Sequence, residues 1–248
     1  MGRMSGTDVA EGGFPSVSAA WRGGVALAAG APALVLGAGY VGFGALARDA
    51  DISLAPALVS TVSIFALPAQ IALIELWQGG TALPALVLAV MMTSARFLPM
   101  AATLMPTLRH PRWNGAHYVF AAHCVAMTGW AVAMRRAPTM EAEQRLPFFC
   151  AFTVTLWAAS LVGTVLGYYL STLFSDLFTL GLVFLNPVYF LLILVRETRN
   201  RLGVTALICG AAIGPPVHLV IPDWSLVTGG IAAGLLAFAI TEFGKRAP

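Results

Sequence analysis

Residues 148–171 read FFCAFTVTLWAASLVGTVLGYYLS, a stretch that contains no charged side chain. A helix needs about 20 predominantly apolar residues to cross the hydrocarbon core of a bilayer. Comparable stretches lie at approximately 23–46, 53–76, 82–105, 115–134, 177–195, 203–221 and 224–243. None of them alternates with the two-residue period of a membrane strand. The sequence therefore predicts an all-α, polytopic integral membrane bundle of about eight transmembrane helices.

The overall composition supports the same class of protein. Hydrophobic residues make up 58% of the 248 residues, and charged residues make up only 10%. Soluble domains carry about 25% charged residues, because a surface in water needs them. The surface of this chain must therefore face mainly lipid. We assign residues 1–22 to a short cytoplasmic N-terminal tail and residues 23–244 to a single transmembrane domain.

The distribution of Lys and Arg predicts a topology, because cytoplasmic loops carry an excess of positive charge. With both termini in the cytoplasm, the predicted cytoplasmic segments contain Arg3, Arg22, Arg135, Arg136, Arg145, Arg196, Arg199, Arg201, Lys245 and Arg246. Arg48, Arg109 and Arg112 then lie outside, and Arg96 lies within the membrane. The pair Arg109 and Arg112 is an exception to the rule.

Arg96 is the first candidate for a binding residue, because a charged side chain is costly in hydrocarbon. We expect its guanidinium to point into the bundle, where it could bind a carboxylate through two hydrogen bonds. The alternative is an arginine that extends to the interface or bonds to carbonyls of its own bundle. Ser63 is predicted at the same depth and shares one helix face with Gln70. This face either lines a cavity or joins neighbouring helices.

Prolines next to polar residues provide a second signal for the site. Pro68 precedes Gln70, Pro99 follows Arg96, and Pro187 directly follows Asn186. Proline frees a backbone carbonyl, and inside a membrane that carbonyl needs a partner from the protein or from water in a cavity. Broken helices near the middle of the membrane are typical of transporter binding sites. We therefore predict that these three helix breaks line the substrate site.

Little in the sequence supports an enzyme. Cys124, Cys150 and Cys209 stand singly in apolar stretches, which favours packing thiols over a disulfide framework or a zinc site. His117 and His123 lie about 120° apart around a helix, so they would not converge on one metal ion. No catalytic residue, cofactor, metal site or nucleic-acid-binding stripe is predicted.

Three pairs of glycines have the GxxxG spacing that lets membrane helices approach closely. They are Gly163 with Gly167, Gly210 with Gly214, and Gly230 with Gly234. Packing within the chain is the simpler interpretation. Docking of another membrane subunit, or assembly of several copies of this chain, is left open.

Several segments resemble, in the same order, the AzlC family of branched-chain amino-acid permeases. The resemblance covers most of residues 23–195. Its segments are GYVGFG at 39–44, FALPAQ at 65–70, SARFL at 94–98, LMP at 104–106, Trp157, Gly163, Gly167, LGLVF at 180–184, and Phe190. Ser94 stands where the family has an asparagine. Met127, Thr128 and Val183 stand where it has carboxylates.

The resemblance implies the large subunit of a permease that exports valine, leucine, isoleucine or similar apolar amino acids from a bacterium. It also implies a multi-pass protein of the bacterial cytoplasmic (inner) membrane with a small AzlD-like membrane partner. Gln70 and Arg96 match the family by position, and Ser94 belongs to the same motif as Arg96. Asn186 comes from the proline argument alone.

Together these observations predict an amino-acid exporter that works by alternating access. We expect Arg96 to bind the substrate carboxylate, and Gln70, Ser63 and Asn186 to complete a polar patch beside the helix breaks. An apolar wall would contact the branched side chain of the substrate. The alternative is a membrane subunit that transports nothing and acts as a scaffold in a transport complex.

Overall fold

A computed structural model describes residues 13–197, 201–221 and 225–246, and within these ranges the chain is helical without strands. Short 3-10 helices follow α8 and α9 at Ala137–Thr139 and Ser171–Leu173. The α-helices are α1 Val17–Ala28, α2 Ala31–Asp49, α3 Leu54–Ser63, α4 Leu67–Gln78, α5 Leu83–Ser94, α6 Phe97–Leu108, α7 Gly115–His123, α8 Met127–Arg136, α9 Ala142–Leu170, α10 Asp176–Glu197, α11 Arg201–Val220 and α12 Ser225–Arg246. The predicted all-α fold is confirmed.

Among the described residues, three helices are long and apolar enough to cross a membrane: Ala31–Asp49, Ala142–Leu173 and Leu202–Val220. The pair Leu83–Ser94 and Phe97–Leu108, which is bent by 48° at its break, becomes a fourth if it is one span. The eight spanning helices expected from the sequence are therefore not confirmed. α1 begins at Val17, within the range assigned to the N-terminal tail, and residues 1–12 lie outside the described ranges.

By its internal contacts the chain divides into two compact units, Met1–Pro187 and Val188–Pro248. The second unit contains the helix pair α11 and α12, whose small core consists of Cys209, Ala233 and Ala237. The first unit contains α1 to α9 and the sequence-predicted residues Ser63, Gln70, Ser94 and Arg96.

The first unit is organised around close contact between α1–α2 and α9. A Cβ atom at Gly24 would lie 2.5 Å from the carbonyl oxygen of Phe148, and one at Gly163 would lie 2.5 Å from that of Gly37. Gly167 is still closer to the carbonyl of Val41. Because the residue numbers rise together along the contact, α1–α2 and α9 run parallel. The Gly163 and Gly167 pair is therefore an internal packing face, as expected.

The chain reverses direction between α3 and α4. Gln70 Nε2 donates to Ser60 Oγ at 2.9 Å and to Thr61 Oγ1 at 3.1 Å. In one straight helix these residues would be about 14–15 Å apart along the axis, which is far beyond the reach of a glutamine side chain. The turn occurs at Ile64–Ala66, where Phe65 has a φ of 44° and Ala66 is extended.

A second reversal lies between α7 and α8, which are joined through the extended residue Ala126. Trp130 Nε1 donates to Thr103 Oγ1 at 3.0 Å, and Met134 contacts Thr107. Because both numbers rise by four, α8 runs parallel to α6. α7 must therefore run in the opposite direction, away from the end at which α6 and α8 both finish.

These two hairpins differ from the expected second and fourth spans, 53–76 and 115–134. Each stretch has the apolar length of one crossing, but the structure divides it into two half-length helices. Pro68 marks the first break, since it is the second residue of α4, where proline has no hydrogen bond to lose. Neither proline nor glycine marks the second break at Cys124–Ala126, so the sequence pattern gave no sign of it.

The glycine contact predicts a sharp difference between two alanine substitutions. In Gly167→Ala the new methyl group meets the backbone of Val41, so we expect a loss of about 1–3 kcal/mol in stability. The control Gly210→Ala adds a methyl group where no described atom lies within 4 Å. Thermal unfolding in detergent should show a lower Tm for Gly167→Ala alone. Equal Tm values would contradict the parallel packing of α2 and α9.

Candidate functional site

A buried polar network fixes the first hairpin to its neighbours. Tyr40 OH donates to Gln70 Oε1 at 2.9 Å, and Gln70 Nε2 donates to Ser60 and Thr61 of α3. Thr61 Oγ1 also lies 3.3 Å from Thr164 Oγ1 of α9. Gln70, Thr61 and Thr164 are completely buried, and Tyr40 is 1% exposed. The network therefore joins α2, α3, α4 and α9 through hydrogen bonds that are shielded from lipid and water.

Every polar atom of the Gln70 side-chain amide has a hydrogen-bond partner within the network. Both Nε2 hydrogens have acceptors in α3, and Oε1 has a donor in Tyr40. The sequence predicted Gln70 as a substrate ligand. In the structure the amide is bonded to Tyr40, Ser60 and Thr61 and the side chain is fully buried. Its contact with a substrate stays a prediction. In this arrangement Gln70 orients the hairpin.

The tip of the first hairpin is capped by side chains from other elements. The last carbonyls of a helix have no partner within it, and such groups must be satisfied inside a membrane. At the end of α3, Trp157 Nε1 of α9 donates to the carbonyl of Thr61 at 3.2 Å. His123 Nε2, at the end of α7, lies 2.8 Å from the carbonyl of Val62 and is the donor there, since a carbonyl only accepts. The tips of the two hairpins therefore touch.

Arg96 lies at the break between α5 and α6, directly before Phe97. It is half-buried, and its guanidinium carbon lies 5.2 Å from the centre of the Phe97 ring. Within the ranges that the structure describes, no hydrogen bond or ion pair to its guanidinium is present. A cation in contact with an aromatic ring is stabilised by about 0.5–2 kcal/mol, which leaves its hydrogen-bond donors for another partner.

The hairpin register places Arg96 close in depth to the tips. Trp130 and Thr103 are joined by a hydrogen bond and lie at one level. Because α6 and α8 are parallel, the start of α8 at Met127 is level with approximately residue 100. Arg96 lies about four residues before that level, or about 6 Å at 1.5 Å per residue. The backbone of Arg96 therefore lies within about 6 Å of the level at which α8 starts, close to the layer of the bundle that contains the hairpin tips.

The remaining predicted residues are distributed more widely. Ser63 is exposed and donates to the carbonyl of Val59 in its own helix, and Ser94 is the half-buried last residue of α5. Asn186 lies in α10, but its side chain is outside the part of the structure that is described. None of the described hydrogen bonds joins Arg96 to Gln70 or Ser63. The predicted polar patch is thus not assembled as direct contacts here.

The predicted helix breaks at Pro68, Pro99 and Pro187 agree only in part with the observed ends of the helices. α4 begins one residue before Pro68, and α6 begins two residues before Pro99. α10 instead continues through Pro187 as one helix. The sequence analysis also missed the network partners Tyr40, Thr61 and Thr164 and the two capping residues. Trp157 and His123 carried a usable signal, since each has a ring N–H inside an apolar stretch.

The side chains of this layer can form charge contacts and hydrogen bonds. Among the described residues no group of three or more His, Cys, Asp or Glu could bind a metal ion. What the layer offers is a guanidinium, an aromatic ring and hydroxyl groups.

The network predicts that Gln70 acts on stability before it acts on any ligand. Gln70→Leu removes one acceptor and two donors and leaves Tyr40 OH buried without its acceptor, which costs about 1–3 kcal/mol. We expect a clearly lower Tm in detergent. The control Ser63→Ala removes an exposed hydroxyl that bonds only within its own helix turn, and should leave Tm unchanged. A normal Tm for Gln70→Leu would contradict the positioning role.

The sequence matches a known protein family. Residues 32–174, more than half of the chain, match the family model described as AzlC protein. The matched range runs from the second residue of α2 to just beyond α9, so it includes both hairpins and Arg96. No curated protein and no solved structure matches the sequence. The chain belongs to the AzlC family, which makes it a membrane transport-related protein.

Proposed function

We propose that this chain is the large subunit of a permease that exports branched-chain or similar apolar amino acids by alternating access. The observation that supports this most directly is Arg96, a half-buried guanidinium at the break between two apolar half-helices of an AzlC protein. Among the described residues, the interaction found for its guanidinium is a cation–π contact with the Phe97 ring. A small anionic group is the natural complement to such a site.

The carboxylate of an amino acid fits this guanidinium in both charge and shape. Arginine presents two parallel N–H donors that match the two oxygens of a carboxylate. In a site away from bulk water, such a charge-assisted pair is stronger than in water. We therefore assign the substrate carboxylate to Arg96. The substrate ammonium group donates hydrogen bonds, so hydroxyl or carbonyl oxygens of the protein would have to accept them.

Apolar side chains around Arg96 suit a substrate with an aliphatic side chain. Met92, Phe97 and Met100 flank it along the chain, and all three are partly buried. Methionine is flexible and fits aliphatic groups of different shape. This environment would accept valine, leucine or isoleucine and would disfavour a charged side chain, which would lose its hydration there.

The cellular setting of the proposal rests on the family resemblance. We propose a bacterial cytoplasmic membrane location and a small AzlD-like membrane partner. Gly210 and Gly214 of α11, and Gly230 and Gly234 of α12, have no described atom within 4 Å of their Cβ positions, so each pair leaves room for a closely packed helix. A second candidate function, a scaffold subunit without transport activity, draws on the same observation.

The proposal predicts that Arg96→Ala lowers valine efflux more than tenfold. Removing one partner of a buried charged pair costs about 2–5 kcal/mol, and 1.4 kcal/mol corresponds to a factor of ten. The efflux rate of Arg96→Lys should lie between those of the wild type and Arg96→Ala, because lysine retains the charge but cannot form bidentate hydrogen bonds with a carboxylate. The measurement is export of labelled valine from liposomes that contain the purified chain, with and without the small partner.

The matched control is Arg109→Ala, which removes an exposed arginine from the loop after α6 and should leave efflux unchanged. Efflux by Arg96→Ala at the wild-type rate, with normal insertion, would remove Arg96 from the site. A wild-type chain that exports nothing under either condition would favour the scaffold.

A further inference from the structure

The first hairpin opens at the end of the bundle where α2 and α9 finish, which we call the Arg48 end. There Arg48 donates to Tyr168 OH at 3.2 Å, and the N–H of Ile52 donates to the carbonyl of Ala47 at 2.9 Å. α3 starts directly afterwards at Leu54 and extends toward Thr61, which contacts Trp157 near the middle of α9. Because α3 and α4 form a hairpin, α4 returns toward the Arg48 end.

The second hairpin opens at the opposite end, which we call the Glu143 end. Arg112, in the loop before α7, forms an ion pair with Glu143 in the first turn of α9. Arg145 donates to the carbonyl of Thr107 at 3.3 Å, so α6 also finishes here. The loops before α7 and after α8 therefore lie on the same side of the bundle, and α7–α8 does not cross it.

The two tips meet halfway between these ends. The contact between His123 and Val62 joins the tip of the second hairpin to that of the first. Trp157 caps the same turn of α3. It is the sixteenth of the 29 residues of α9 and therefore lies near the midpoint of that helix. Each hairpin thus enters the bundle from its own end and stops about halfway through.

We propose that α3–α4 and α7–α8 are re-entrant hairpins, which enter the membrane from opposite faces and close the solute path where their tips touch. The statement that a solute path closes at the tips rests on the proposed function. The topology of the two hairpins does not depend on that function. Half-length helices are tolerated in a membrane only where other parts of the protein satisfy their ends. Trp157 and His123 do this for α3.

The distribution of arginines supports this topology. With α7–α8 as a hairpin, the Glu143 end carries the arginines of α1, of the loop before α7, of the end of α8 and of the start of α9. They are Arg22, Arg109, Arg112, Arg135, Arg136 and Arg145. The Arg48 end of the same unit carries Arg48. By the positive-inside rule the Glu143 end is cytoplasmic, and Arg109 and Arg112 cease to be exceptions.

The two topologies predict opposite labelling for two loops. If 53–76 and 115–134 each crossed the membrane, Ala82 would be cytoplasmic and Gly115 would be outside. With two hairpins, Ala82, in the turn after α4, is outside and Gly115 is cytoplasmic. Both positions are exposed, and so is Thr139, which is cytoplasmic in either topology.

The test uses single cysteines at these three positions in a chain whose native Cys124, Cys150 and Cys209 are alanines. A membrane-impermeant maleimide is applied to intact cells and then to permeabilised cells. We expect Ala82→Cys to react in intact cells, and Gly115→Cys and Thr139→Cys to react only after permeabilisation. Labelling of Gly115→Cys in intact cells, or protection of Ala82→Cys, would overturn the proposal.

A second arm tests closure at the tips. Ser63→Cys and His123→Cys place one thiol on each tip, and a short flexible bis-maleimide should join them in the membrane. We expect the joined chain to lose at least tenfold in valine efflux, whereas each single variant treated in the same way retains its untreated rate. Failure to join, or full efflux from the joined chain, would overturn closure at the tips. Lack of efflux from the untreated wild type would instead refute the proposed function and leave the labelling result standing.

Discussion

The requirement that every backbone polar group in a membrane find a partner governs the first unit. A helix that spans the membrane has its unpaired end groups near water, but α3 and α7 stop halfway through the bundle, so their last carbonyls need partners inside it. The indole of Trp157 and the imidazole of His123 supply N–H donors to the last turn of α3. The amide of Gln70 then ties α4 to the same turn. These side chains therefore stabilise the end of α3 inside the bundle.

The sequence predicted those features that depend on local composition. Long charge-free stretches such as that of α9 identified a helical membrane protein, and the spacing of Gly163 and Gly167 identified a packing face. The reversals were missed, because hydropathy measures the length of an apolar stretch and carries no information about its direction. The direction of α4 depends on hydrogen bonds between Gln70 and residues nine and ten positions earlier, and on Tyr40 in another helix.

The candidate site shows the same division between local and long-range information. The position of Arg96 beside a helix break follows from its neighbours in the sequence, and the structure agrees with it. The role of Gln70 depends on its surroundings in three dimensions, and the sequence could not distinguish a ligand from a positioning residue. The contact between the tips joins Val62 and His123, which are 61 residues apart, so no local sequence pattern could indicate it.

Phe65 gives the first tip a mechanical property that a glycine would not. A bulky residue rarely adopts a left-handed backbone conformation such as its φ of 44°, which costs about 1–2 kcal/mol. Its phenyl ring is only 5% exposed and packs in the same core as Tyr40 and Phe152. Burial of the phenyl ring thus offsets the backbone strain at Phe65. Relaxation of the Phe65 backbone would have to move the ring within this core, so the conformation of the turn is coupled to the packing around Tyr40 and Phe152.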